Sequence, residues 1–120
     1  NIKNIIKIGG VMLILDYIYL TTTSNHFNKI IKDIQGSEIK LKILPAIICY
    51  SLLVFALYYF IIKEKKPLLD AFLLGIIIYG VYDATNMAIL DNWTWETLFL
   101  DTFWGGFLFI ITYYIYKLLM

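Results

Sequence analysis

The stretch LLDAFLLGIIIYGVYDATNMAIL, residues 68–90, decides how this chain folds. A transmembrane α-helix needs about 20 consecutive, mostly apolar residues, and this run is long enough to cross a bilayer. It nevertheless carries an ionisable side chain, Asp83, and an amide, Asn86, one helical turn apart. Polar groups are costly at that depth and usually face a bundle interior or a water-filled cavity. The stretch therefore predicts a membrane-spanning helix that carries part of a polar layer.

The composition of the whole chain also favours a membrane protein. Of its 120 residues, 61% are hydrophobic and 16% are charged, whereas soluble domains are nearer half apolar and a quarter charged. A net charge of +1 gives no electrostatic basis for binding nucleic acid. Arginine is absent, which removes bidentate clamps for phosphate or carboxylate. We expect one four-helix transmembrane domain that covers residues 1–120.

Three further apolar runs have the length of membrane spans. The first, residues 5–20, follows two lysines and resembles either a retained helix or the centre of a signal peptide. Asp16 inside this run and the lack of a small-residue cleavage site favour the helix. The other two runs cover about residues 42–62 and 95–120. Together the four runs predict an all-α polytopic membrane protein, a bundle of four transmembrane helices.

Residues 24–36, between the first two spans, have a different pattern. Apolar side chains recur there at helical spacing, with charged residues between them, at Phe27, Ile30, Ile31 and Ile34. This pattern fits a short amphipathic helix on the membrane surface that ends at Gly36. It fits an ordered polar loop equally well.

The lysines favour one orientation of the four spans. An even number of spans places both termini on the same side, together with Lys3, Lys7, Lys63, Lys65, Lys66 and Lys117. The opposite side carries Lys29, Lys32, Lys40 and Lys42. Because lysine-rich loops are retained in the cytoplasm, this bias predicts that both termini are cytoplasmic.

Three of the spans each carry an acid at a similar depth: Asp16, Asp83 and Asp101. At about 1.5 Å per residue, each lies within roughly 7–12 Å of the outer end of its helix. The acids therefore share one layer if the first, third and fourth spans are neighbours. Hydrogen-bonding groups at the same depth belong to Tyr17, Tyr19, Tyr82, Thr85, Asn86 and Trp104. The second span is mostly apolar, and we expect it to form a wall.

No lysine lies deep enough in a span to neutralise these acids. They must then be protonated, hydrated, bound to a cation or fully hydrogen-bonded. One interpretation is a site for a proton, a cation or a small polar ligand in a small transporter, which a chain this short would build as a homodimer. In it, Asp83 and Asp101 are the central carboxyls, Asp16 is the third, and Asn86 and Tyr82 orient the ligand.

The alternative interpretation is structural. Asp, Asn, Thr and Tyr side chains often join transmembrane helices by hydrogen bonds worth about 0.6 kcal/mol each. The protein would then be a structural membrane protein or a subunit of a larger membrane complex. Thr85 and Trp104 are candidate polar groups under either interpretation.

The sequence favours no enzyme, metal or cofactor. His26 has no obvious metal-ligating partners, and Cys49 is best interpreted as a small buried side chain. There is no glycine-rich phosphate loop, serine-nucleophile elbow or His/Cys cluster. A lipid-acting enzyme with paired carboxyls as acid and base is a third hypothesis. Five aromatic residues are expected to lie in interfacial belts: Trp93, Trp95, Tyr113, Tyr114 and Tyr116.

Three motifs give the chain a resemblance to a family of small membrane proteins, the domain of unknown function 2177. The motifs are Asp16-Tyr17-Ile18-Tyr19-Leu20, the run Tyr82 to Asn86 and the run Asp101 to Gly105. Tyr19 stands where many relatives have tryptophan. The resemblance covers almost the whole chain and implies a four-helix membrane protein without implying an activity. Its members occur mainly in bacteria and also in large DNA viruses, which allows a cellular or a viral membrane.

Overall fold

The computed structural model describes residues 2–36 and 42–119, and these ranges contain helices and no strand. The helices are α1 (Ile2–Thr22), α2 (Ser24–Gln35), α3 (Ile43–Leu57), α4 (Leu68–Ile89) and α5 (Trp95–Leu119). A single π-helical turn, Tyr58–Ile62, extends α3. Four of these segments (α1, α3 with its π turn, α4 and α5) are long and apolar enough to cross a membrane. The predicted all-α bundle of four spans is confirmed. Lys40 and the predicted end of the last span, Met120, lie outside the described residues.

The short segment between the first two spans is a helix. Its end at Gly36 has a φ of 75°, a left-handed conformation that glycine adopts without strain. The Gly36 N–H donates to the carbonyl oxygen of Lys32 at 2.8 Å. Ile30 is buried against the bundle, whereas Lys29 and Lys32 are exposed. Of the two alternatives that the pattern left open, the amphipathic helix is therefore the one adopted.

The four spans pack most closely in the order α3, α1, α5, α4. Ile8 and Met12 from α1, Leu57 from α3, and Leu108 and Phe109 from α5 form the fully buried centre. Large apolar side chains remain exposed on the outer faces of all four spans. Lipid tails are as apolar as these side chains, so such faces are stable in a bilayer. The arrangement places α5 between the two helices that carry the other acids.

Glycines allow α4 and α5 to cross closely. Gly75 and Gly105 are buried at the crossing, and a Cβ on Gly75 would lie 2.7 Å from the carbonyl carbon of Gly105. A Cβ on Gly106 would lie 2.8 Å from the side chain of Ile76. The backbones can therefore approach only because these positions lack side chains. This contact sets the mutual register of α4 and α5, and with it the positions of Asp83 and Asp101.

Candidate functional site

The three acids lie at the same end of the bundle, the end that holds α2 and the α4–α5 connection: Asp16 and Asp101 line one cleft, and Asp83 interacts with Asp101. Asp16 on α1 and Asp101 on α5 are each 7% exposed, and Asp83 on α4 is fully buried. We call these three residues the carboxyl layer. They lie close together because α5 packs against both α1 and α4.

Asp16 joins three helices through its two carboxyl oxygens. Its Oδ1 accepts a hydrogen bond from Trp104 Nε1 on α5 at 3.0 Å. Its Oδ2 accepts a hydrogen bond from the Tyr50 hydroxyl on α3. The second span was expected to form a mostly apolar wall, and Tyr50 adds a polar donor to that wall. Tyrosine has an apolar ring and a polar tip, so one tyrosine in an apolar run conceals a donor to the layer.

Asp101 and Asp83 form the other part of the layer. The Tyr19 hydroxyl donates to Asp101 Oδ1 at 3.0 Å, and Trp93 Nε1 donates to Asp83 Oδ1 at 3.2 Å. Asp83 Oδ2 receives no hydrogen bond from any described residue. Asp83 also interacts with the carboxyl group of Asp101 on α5. Two interacting carboxyl groups form a favourable contact when one of them carries a proton.

Trp93 lies inside the protein, contrary to its interpretation as part of an interfacial belt. It is 5% exposed, and the α4–α5 connection folds it back towards Asp83. Tyr82 meets it edge-on at 6.2 Å between ring centroids, and Phe27 of α2 lies 6.3 Å away. Trp95 and Tyr114, by contrast, are 65% and 52% exposed, as belt residues would be. The belt prediction is also wrong for Tyr113 and Tyr116, which are each 3% exposed and pack in the core. The sequence could not separate the two tryptophans, because both flank the same turn.

A cleft of about 270 Å³ lies beside the carboxyl layer. Asp16 and Asp101 contribute to its walls, and Tyr79 and Tyr82 of α4 line another side. Tyr79 was missed as a site residue, although it lies one turn before Asp83 on the same face of α4. The stacked rings of Tyr19 and Trp104, 4.6 Å apart and nearly parallel, support the donors of the layer.

Two of the candidate residues take no part in these contacts. The Thr85 side chain is exposed, and its hydroxyl donates to the Val81 carbonyl oxygen of the preceding turn at 2.7 Å. Asn86 is half-buried, and its backbone carbonyl accepts the N–H of Leu90 at 2.8 Å. Five of the seven candidates do lie at the layer or cleft: Asp16, Asp83, Asp101, Tyr82 and Trp104.

Helix α2 is attached beside the cleft by a chain of polar groups. His26 Nε2 lies 2.8 Å from Thr97 Oγ1, which lies 2.9 Å from Thr94 Oγ1. Thr94 Oγ1 also accepts the backbone N–H of Thr97 at 3.2 Å and so caps the start of α5. Thr97 is fully buried. The contact between His26 and Thr97 therefore holds α2 to α5, while Phe27 and Ile31 of α2 line the cleft.

Thr97→Val is expected to loosen α2 while the four spans stay folded. Valine keeps the shape of threonine but cannot bond His26 or Thr94, so the amide protons of α2 should exchange faster. Hydrogen–deuterium exchange measured by mass spectrometry checks this. The matched control is Thr112→Val, because Thr112 is also fully buried but its hydroxyl has no partner among residues 2–36 and 42–119. Equal exchange of α2 in both variants would contradict the role given to Thr97.

Fold and site together define a polytopic α-helical membrane protein with carboxyl groups buried between its spans. A family model described as "Predicted membrane protein (DUF2177)" matches residues 1–116. The chain belongs to this family, the domain of unknown function 2177, as its three motifs indicated. Comparisons with curated proteins and with solved structures gave no match.

Proposed function

We propose that this protein binds a proton or a cation at the carboxyl layer and exchanges it through the adjoining cleft, as a small membrane transporter. The observation that carries the proposal is the pair formed by Asp83 and Asp101. Asp83 is fully buried, one of its oxygens lacks a donor among the described residues, and its neighbour is a second acid. Such a pair is stable when a proton or another positive charge lies within it.

The charge balance of the layer supports this proposal. The donors to the three acids are tyrosine and tryptophan side chains, which are neutral. Every lysine that the structure describes is exposed. Ionised carboxylates in an apolar layer repel one another and lose their hydration, so the layer would take up positive charge from outside. The cleft provides a route for that charge to reach Asp16 and Asp101.

A structural role is the second candidate, and the hydrogen bonds of Asp16 favour it. Both oxygens of Asp16 accept hydrogen bonds, from helices on either side. When protein donors bond both oxygens of an acid, joining helices is a sufficient role for that acid. Asp83 distinguishes the two candidates. A buried carboxyl oxygen without a donor costs free energy, so a carboxyl that only joins helices should have donors for both oxygens.

We also propose that both termini face the cytoplasm. The end of the bundle that holds α2 carries fewer lysines than the opposite end. The opposite end holds the α3–α4 connection, the start of α1 and the end of α5, and lysine-rich ends stay in the cytoplasm. Cys49 is exposed, contrary to the expectation of a small buried side chain, so the test uses a Cys49→Ser background. On that background, an impermeant maleimide added to intact cells should label Lys29→Cys and spare Lys65→Cys. The reverse pattern would overturn this orientation.

Carbodiimide labelling tests the proposed site. A hydrophobic carbodiimide reacts with protonated carboxyl groups in apolar surroundings, adding the carboxyl oxygen to its central carbon and the proton to its nitrogen. We expect mass spectrometry to find the adduct on Asp83 or Asp101 at neutral pH, and less of it as the pH rises. Asp70, in the first turn of α4 at the other end of the bundle, is the control and should react little. Absence of label on both Asp83 and Asp101 would contradict the proposal.

A further inference from the structure

Aromatic rings make up most of the cleft's walls. They come from four helices and the α4–α5 connection: Tyr19, Phe27, Tyr50, Tyr79, Tyr82 and Trp93. The carboxyl groups in the same walls belong to Asp16 and Asp101, and no described lysine lines the cleft. The cleft therefore combines two carboxyl groups with six aromatic side chains.

We propose that the cation bound in this cleft is a small organic ammonium ion. The inference rests on the proposed function and specifies the ligand of the same site. A ring face attracts a cation through its quadrupole, and cages of aromatic rings hold ammonium groups whose substituents are apolar. The carboxyls supply the opposite charge, and the rings cover the alkyl groups of the ion. An anion would be repelled by Asp16 and Asp101.

The donor set fits an organic cation better than a metal ion. Calcium takes six to eight oxygen ligands and magnesium prefers an octahedron of them. Among residues 2–36 and 42–119, no group of three or more His, Cys, Asp or Glu side chains is placed to hold a metal ion. Ring carbons cannot replace the missing oxygen ligands, but they pack well against methyl groups.

The size of the cleft limits the ligand. Its volume of about 270 Å³ lies just below the range of about 300–1,000 Å³ found for pockets that hold drug-sized molecules. The ligand should therefore be compact, with methyl or short alkyl groups on nitrogen.

The carboxyl pair gives the ammonium ion a partner for exchange. Asp101 lines the cleft, whereas Asp83 lies behind it, fully buried. When an ammonium ion binds beside Asp101, the carboxyl pair of Asp83 and Asp101 no longer needs the shared proton to balance its negative charge. Its O–H bond then breaks and the proton leaves to water, so one cation replaces another and the net charge of the layer is conserved.

Binding of choline tests the inference, with 3,3-dimethyl-1-butanol as the uncharged molecule of the same shape. Isothermal titration calorimetry of the purified protein in lipid nanodiscs should show choline binding at least tenfold more tightly than the alcohol. Equal affinities would mean that the cleft recognises only apolar shape, and failure of choline to bind would mean that it recognises no ammonium. Either result overturns the inference.

A pair of tyrosine variants locates the binding. Tyr82 lines the cleft, whereas Tyr17 is exposed on α1 and contributes to a different groove. Tyr82→Leu should weaken choline binding about two- to fivefold, as expected for the loss of one cation–π contact at a partly exposed site. Tyr17→Leu should leave the affinity unchanged. Equal losses in both variants would place the ligand outside the cleft.

Carbodiimide labelling separates this inference from the proposed function. Choline should protect Asp83 and Asp101 of the wild-type protein from the reagent, and 3,3-dimethyl-1-butanol should not. If both acids react and choline gives no protection, the carboxyl site stands and the ammonium ligand is wrong. If neither acid reacts even without choline, the proposed function itself is wrong.

Discussion

Gly75→Ala is expected to lower the free energy of unfolding of the bundle by about 3 kcal/mol, near the upper end of the usual cost of overpacking. The added methyl group would overlap the carbonyl group of Gly105, which is backbone and cannot move aside as a flexible side chain could. The helices α4 and α5 would have to separate along their length. Because Asp83 and Asp101 lie on these two helices, the carboxyl pair should also be disrupted.

Reversible unfolding in mixed micelles, followed by circular dichroism, measures the loss. Gly10→Ala is the matched control, because a Cβ at Gly10 would have no atom within 4 Å. Alanine there should leave stability unchanged or raise it by up to about 1 kcal/mol, since glycine is the poorer helix former. If Gly75→Ala behaved like Gly10→Ala, the close α4–α5 crossing would be incorrect.

Asp16→Ala is expected to destabilise the protein by about 2 kcal/mol. It removes the acceptor of two half-buried donors, the Tyr50 hydroxyl and the Trp104 N–H. A donor left without a partner away from water costs about 1–3 kcal/mol. Two such donors would together cost about 2–6 kcal/mol. We expect the lower end of this range, because hydrogen bonds between transmembrane helices are weak on average. The same unfolding measurement checks this prediction.

A double-mutant cycle shows whether Asp16 acts through these contacts. Asp16→Ala with Tyr50→Phe should cost less than the sum of the two single changes, because the second change removes a donor already left unpaired. Asp16→Ala combined with Tyr17→Phe should be additive, since the exposed Tyr17 makes no hydrogen bond to the layer. Additivity in the Tyr50 pair would argue that Asp16 and Tyr50 are not partners.

The sequence predicted the spans well because their signal is strong. Long apolar runs separated by charged or turn-forming residues leave few alternatives in a bilayer. The depth of each acid could also be estimated, because an α-helix has a fixed rise per residue. Helix α2 was harder to predict, because twelve residues with an amphipathic pattern suit a helix or a loop.

The composition of the site was only partly predictable. Tyr50 and Trp93 donate to the acids, yet each occurs where tyrosine or tryptophan is common for another reason: an apolar span or a membrane interface. Which helix face meets which neighbour depends on packing between spans, and one sequence carries little information about it. Thr85 lies two positions after Asp83, so the helix turns its side chain to another face, where it is exposed. Asn86 lies three positions after Asp83 on the same face, but it is one turn nearer the end of α4 and only half-buried.

Infrared difference spectroscopy of the carboxyl groups shows whether Asp83 and Asp101 share a proton. We expect the wild-type protein in lipid to show the C=O stretching band of a protonated carboxyl at neutral pH. Asp83→Asn should lose this band, because the asparagine amide can donate to Asp101 in place of the shared proton. A wild-type spectrum with only ionised carboxylates at neutral pH would contradict the claim, as would a protonated band that Asp83→Asn leaves unchanged.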